Sequence, residues 1–226
     1  MTAIALVGGD GSGKTTLARE LVNRFPQPVK YLYMGLNASS SNIALPSTRL
    51  IYWLKVRSER KARRRRGESH TGPISLHGIE YRGDSGGRLW AVARLANRIA
   101  EESFRQIVSW VYQARGFVVV YDRHFLFDFT PGSGGKRRLS ARLHLWFLEH
   151  IYPKPHLVLF LDAPASVQYA RKQEVPEEHL EAKRAAYLAR GSSISGFVAI
   201  DASQSPERVY AEAARELTKF LVDRTG

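Results

Sequence analysis

Residues Ala5 to Phe25 read ALVGGDGSGKTTLARELVNRF, and this stretch decides the fold. A short apolar run from Ile4 to Val7 ends in two glycines. The pattern Gly8-x4-Gly13-Lys14-Thr15 follows, and a helical spacing of apolar residues then runs from Lys14 to Phe25 until Pro26 stops it. That order is strand, glycine-rich loop, helix. Glycines in such a loop let successive backbone N–H groups turn inward around a phosphate, and the helix N-terminus adds its positive dipole end. The expected cradle is Gly8, Gly11, Ser12, Gly13, Lys14, Thr15 and Thr16, holding the phosphates of a nucleotide. Lys14 is expected to bridge the outer phosphates as a point charge, and the Thr15 hydroxyl to ligate Mg2+.

Outward from the loop, strands and helices alternate. VKYLYM (Val29 to Met34) reads as a second strand, rich in β-branched and aromatic residues. FVVVYD, ending at Asp122, and LVLFLD, Leu157 to Asp162, are filled with apolar residues, as strands covered on both faces are. FVAID, Phe197 to Asp201, is a weaker version. A long helical period runs from Arg88 to Arg115 and stops at Gly116. Such alternation implies right-handed crossovers and a parallel sheet. The expected fold is α/β: a three-layer α/β/α sandwich with a five-stranded parallel sheet, one domain over 1–226. Residues 35–87 break the rhythm with a Ser/Asn patch, Pro46 and a helix candidate from Ser47. They read as a partly mobile excursion.

The composition narrows the chemistry. With 226 residues and 44% hydrophobic residues, the chain is large enough to bury a core without metal or disulfide staples. It holds no cysteine, which excludes thiol chemistry and suits a cytoplasmic setting. The opening apolar stretch is too short for a secretory leader, and no run approaches the length of a membrane span. Histidines never fall at metal-ligand spacing, and no Gly-x-Ser-x-Gly elbow occurs. The net charge is +13, of which the run Lys55 to Arg66, KVRSERKARRRR, carries more than half. That run suits either a solvated basic helix face or mobile loop, or a phosphate-rich partner such as nucleic acid or an acidic membrane surface.

Phosphoryl transfer needs an acid near the metal, reached from the end of a neighbouring strand. Asp122 has that form, and Asp162 is a second candidate. It also needs positive charge that can close over the transferring group. ARKQEVPEEHLEAKRAAYLAR, Ala170 to Arg190, supplies Arg171, Lys172, Lys183, Arg184 and Arg190 around Pro176, so 163–190 is the expected helical lid. His124, beside Arg123, suits either a substrate contact or a structural role.

Four stretches together resemble the thymidylate kinase family of phosphate-loop kinases: GGDGSGKTT, VVVYDRH, LFLDAPASVQYARKQE with EAKRAAYLAR behind it, and VAIDASQSPERVYAEA. They cover the first 25 residues and most of the chain after Arg88. The resemblance implies ATP-dependent, Mg2+-requiring transfer to a small phosphorylated acceptor, with thymidine monophosphate (dTMP) as the default. It makes Asp10 a loop acid reaching the acceptor sugar, Asp122 the metal-side acid and Arg123 an acceptor-phosphate contact. Family members with Gly at the position of Gly11 carry their catalytic arginine in the lid, here Arg171. The family's acceptor-side helical arginine matches Arg94. Because that helix is about seven residues longer here, shifting the site by roughly 10 Å, Arg98 is an equal rival. After the second strand the family carries an Arg-Glu-Pro type motif, where this chain has YMGLNASSSN. An altered or larger acceptor follows, with Arg49 and Arg82 as further phosphate contacts to weigh. A kinase acting on a nucleic-acid end, a nucleotide-binding module without turnover, and a homodimer are all compatible with this reading.

Overall fold

The structure, a computed structural model, describes residues 2–34, 45–46, 50, 53–54, 56–58, 60–61, 88–124, 139–173 and 175–225. Most of the excursion lies outside these residues, as do Arg49, Arg82 and much of the basic run. The described positions from 46 to 61 are helical, and Leu45 before them is not.

Five strands form one parallel sheet: β1 (Thr2–Val7), β2 (Val29–Tyr33), β3 (Val118–Asp122), β4 (Leu157–Asp162) and β5 (Phe197–Asp201), in the order β2-β3-β1-β4-β5. The helices are α1 (Lys14–Arg24), α2 (Arg88–Ala114), α3 (Leu139–His150), α4 (Ala165–Arg171), α5 (Glu177–Gly191) and α6 (Pro206–Thr225). β1 starts two residues before its apolar run because Thr2 pairs with Val118. Among the described residues β5 pairs with β4 alone, and this edge position explains its weaker apolar pattern.

Alternation of side chains along the strands builds two cores, one on each face. Ile4, Leu6, Val118, Val120, Leu159 and Leu161 pack with Leu17 and Leu21 of α1 and with Val209, Ala213 and Leu217 of α6. On the other face Ala5, Val7, Val119, Tyr121, Val158 and Phe160 pack with Leu148 of α3 and Tyr187 of α5, with Tyr112 of α2 against them. The sheet is thus sandwiched between helical layers. Among the described residues no helix is long and apolar enough to cross a membrane.

β1 leads outward to β2 on one side and later strands add β4 and β5 on the other, so the C-terminal ends of β1 and β3 flank a topological switch point. In open α/β sheets, ligands bind in that crevice.

Candidate active site

The glycine-rich loop leaves β1 at this crevice. Gly8, Gly11 and Gly13 have φ angles of 151°, 87° and 91°, a region that side chains rarely adopt. At Gly11 the constraint is double. A Cβ there would lie 2.6 Å from the backbone oxygen of Gln168 in α4, so the helix at the base of the lid is seated directly on the loop. The buried Gln168 amide also abuts Gly9, and its Nε2 donates to the Ala163 carbonyl at 2.7 Å. Gly11→Ala is therefore expected to cost about 2 kcal/mol in stability, from backbone strain and a fixed backbone neighbour. Nucleotide affinity should fall with it; a melting curve unchanged from wild type would contradict this packing.

Lys14 opens α1 and is buried. Its Nζ donates to the Gly8 carbonyl at 3.0 Å and the Gly9 carbonyl at 2.5 Å, with Ser12 Oγ at 3.4 Å. Burial, and then the charge of Arg123, lower its pKa to about 8.

Thr15 Oγ1 donates to Asp122 Oδ2 at 2.9 Å. The register explains the meeting: Leu6 pairs with Asp122, which puts the end of β3 level with the loop entrance. Tyr31 of β2 donates its hydroxyl to the same oxygen at 3.0 Å. A hydroxyl and a carboxylate are the hard oxygen donors Mg2+ prefers, and one or two protein oxygens beside phosphates suffice for it. Among the described residues no group of three or more His, Asp or Glu forms a metal cage. Thr15 and Asp122 thus fit a Mg2+ ion shared with a nucleotide.

Asp10 lies across the crevice mouth. Its carboxylate accepts from Arg123 at 2.6 Å and lies 3.6 Å from Lys183 of α5. Burial alone would raise its pKa, but Lys183 and Arg123 hold it at about 2. Arg123 itself has φ 68°, the sole described non-glycine residue with positive φ. Such strain is tolerated where surrounding contacts fix it, here the Arg123 N–H on the Leu6 carbonyl at 3.1 Å and the ion pair.

The segment expected to form a lid is a helix–turn–helix, α4 and α5 about Pro176. Its two ends face different things. Arg171 NH1 donates to the Ala202 carbonyl at 2.8 Å and lines a cavity of about 530 Å³ with Gly11, Gly13, Thr16, Gln204 and Pro206. Lys183 faces Asp10 instead. Arg184 clasps Asp162 with two hydrogen bonds of 2.5 and 3.0 Å, which raise the pKa of Arg184 further and fix α5 on the end of β4.

Two sequence candidates are placed elsewhere by this geometry. Asp162 is occupied by Arg184 rather than by the Thr15 side of the loop. His124 is fully buried, packed near the rings of Tyr121 and Tyr152, and burial lowers its pKa to about 3, so it is a neutral core residue. On α2, Arg98 pairs with the buried Glu102 at 3.3 Å, and Glu102 also meets His144 of α3 at 2.7 Å. The side chain of Arg94 lies outside the described residues. Sequence reading missed Gln168 and Tyr31. A glutamine on the inward side of a seven-residue helix was the available signal for the first.

No protein-family model matches the chain, and no curated protein matches it. Among solved structures it is similar to a deoxyadenosine kinase from M. mycoides, determined with the products dCMP and a flexible dCDP bound. The TM-score is 0.53 at 12% sequence identity, covering 96% of this chain and 100% of that one. Sheet order, loop and superposition agree that the chain has the three-layer α/β/α fold of a phosphate-loop kinase.

Proposed function

We propose that the protein is an ATP-dependent, Mg2+-requiring phosphotransferase acting on a nucleoside monophosphate, with dTMP as the default acceptor. The observation that carries this reading is the convergence of Lys14, Thr15 and Asp122 on one glycine-rich loop at the switch point. Backbone N–H groups of Gly11 to Thr15 cradle the nucleotide phosphates, and Lys14 turns from its own loop carbonyls to the outer phosphate oxygens. Thr15 and Asp122 would hold Mg2+, which when bound would neutralise charge on those oxygens. Asp10 orients the acceptor sugar and Arg123 the acceptor phosphate. Arg94 and Arg98 extend the acceptor side along α2.

The lid approaches the transferring phosphoryl group from two sides. Arg171 is the catalytic arginine, reaching in from the nucleotide cavity, and Lys183 faces it from the acceptor side. Catalysis of this kind is positioning plus electrostatic stabilisation, with little covalent work for the protein. Arg171→Ala is expected to lower kcat about a hundredfold while weakening ATP binding less. Lys183→Ala should raise the acceptor KM about tenfold at nearly constant ATP affinity. Steady-state kinetics with both substrates varied separate the two; equal effects of both variants on both substrates would refute the division.

The test of the function is ADP release from Mg·ATP with a panel of nucleosides, nucleoside monophosphates and oligonucleotides. The deoxyadenosine kinase likeness is why nucleosides are in that panel. Turnover with monophosphates supports the proposal and turnover with dTMP supports its finer form. Turnover with oligonucleotides alone points to a polymer kinase, and binding without any turnover to a nucleotide-dependent module.

A further inference from the structure

The side chain of Tyr31 is a strand residue with an unusual reach. Tyr31 pairs with Val120 of β3, one step of the two-residue period short of the Tyr33–Asp122 pair. It therefore shares a sheet face with Asp122 and sits diagonally across from it, at roughly 7–8 Å between backbones, a span that an aromatic side chain bridges. Tyr31 is partly buried and packs against the apolar core that contains Val29, Val118 and Val120. A phenylalanine would serve that packing equally well. The hydroxyl goes instead to Asp122 Oδ2 at 3.0 Å, and the Thr15 hydroxyl reaches the same oxygen at 2.9 Å. Asp122 is buried, 3% exposed, and both hydroxyls bond its Oδ2 rather than its Oδ1.

We infer that Tyr31 is a positioning residue for the metal-side acid: with Thr15 it pins Asp122 Oδ2, so that Oδ1 is presented toward the phosphate loop as the oxygen for a divalent cation. This rests on the reading of Asp122 given above. Two neutral hydroxyl donors on one oxygen fix the carboxylate plane without neutralising its charge, which a cationic partner would do. Thr15 can keep its proton on Asp122 while a lone pair of its oxygen faces the cation, but that single bond would leave the carboxylate free to turn about it. Tyr31 supplies the second anchor. Hydrogen-bond partners of metal-binding groups act in this way, and removing one typically costs about tenfold or more in metal affinity.

The test is the Mg2+ dependence of binding of a fluorescent, non-hydrolysable ATP analogue, compared for wild type and Tyr31→Phe, with melting curves for both. Tyr31→Phe is expected to raise the Mg2+ midpoint about tenfold, to leave Mg2+-free analogue binding unchanged and to shift the melting temperature little. An unchanged midpoint in a folded Tyr31→Phe protein overturns the inference. So does equal loss of binding with and without Mg2+, which would mark a purely structural role. If wild-type binding is itself indifferent to Mg2+, the assignment of Asp122 to the metal falls first. If that dependence is present but no acceptor is turned over, the phosphotransferase reading fails while Tyr31 keeps its role.

Discussion

Lys14→Met is expected to abolish phosphoryl transfer and at the same time to make the unliganded protein more stable. The first effect should be about a thousandfold or more in kcat/KM, some 4 kcal/mol of transition-state stabilisation. Lys14 is the one cation rooted in the loop itself, at the first position of α1, and nothing else described can reach the outer phosphates from beneath. The second effect follows from what the ammonium has as partners without a ligand. It is 7% exposed and bonded to two carbonyls and a hydroxyl, with no carboxylate within ion-pair distance among the described residues. Burial has moved its pKa from 10.5 to about 8. The folded-state value lies below the unfolded one, so the folded protein is penalised wherever Lys14 is charged. That penalty is complete below pH 8 and is relieved as pH rises from about 8 toward 10.5. Its size is roughly 3 kcal/mol, partly offset in the Met variant by two loop carbonyls left without their donor. Met keeps the stem and discards the charge. The variant should melt roughly 5 °C higher at pH 7, and the advantage should shrink at pH 10. Scanning calorimetry at both pH values, beside a transfer assay, checks the pair. A variant that melts lower at pH 7 would show that the loop carbonyls need Lys14 more than its burial costs.

That tension between grip and stability was half visible in the sequence. The pattern from Gly8 to Thr15 is contiguous in sequence, so recognising it required no tertiary information, although Gly11 and Thr15 then meet Gln168 and Asp122 from elsewhere in the chain. Asp122 was legible as an acid ending an apolar strand, but Asp162 has the same form. What separates them is register. Leu6 pairs with Asp122, whereas Val7 pairs with Phe160, so Asp162 lies three residues, or about 10 Å, farther along the sheet. No single-strand pattern carries that offset. The Asp10–Lys183 and Tyr31–Asp122 contacts were hidden for a related reason: each depends on how one element is rotated or aligned against another far away in sequence. Two charged helical segments about Pro176 were legible, yet the different partners of their cations, the Ala202 carbonyl for Arg171 and Asp10 for Lys183, were not. Arg171 and Lys183 are both basic residues on neighbouring helices, and only packing of α4 on Gly11 and the clasp of Arg184 on Asp162 divide them.

Asp122→Asn should move nucleotide binding in opposite directions with and without Mg2+. Asparagine preserves the shape of the side chain, and its carbonyl oxygen still accepts from Thr15 and Tyr31, so folding should be nearly unaffected. The other carboxylate oxygen, however, is replaced by an N–H donor where a hard anionic oxygen stood. Mg2+ affinity should fall steeply, and transfer with it, by about a hundredfold to a thousandfold, or 3–4 kcal/mol. Around the same crevice stand Lys14, Arg123 and Lys183, countered by Asp10 and Asp122. Removing one of those two anions leaves the pocket more positive, so a free triphosphate should bind several-fold more tightly when no Mg2+ is present. A generally damaged site would lose affinity in both conditions, and a residue unconnected to the metal would change neither. Titrating an ATP analogue into wild type and Asp122→Asn, once with Mg2+ and once with a chelator, reads both signs. Parallel shifts in the two titrations, or turnover within threefold of wild type, would remove Asp122 from the metal and leave the loop as a phosphate grip alone.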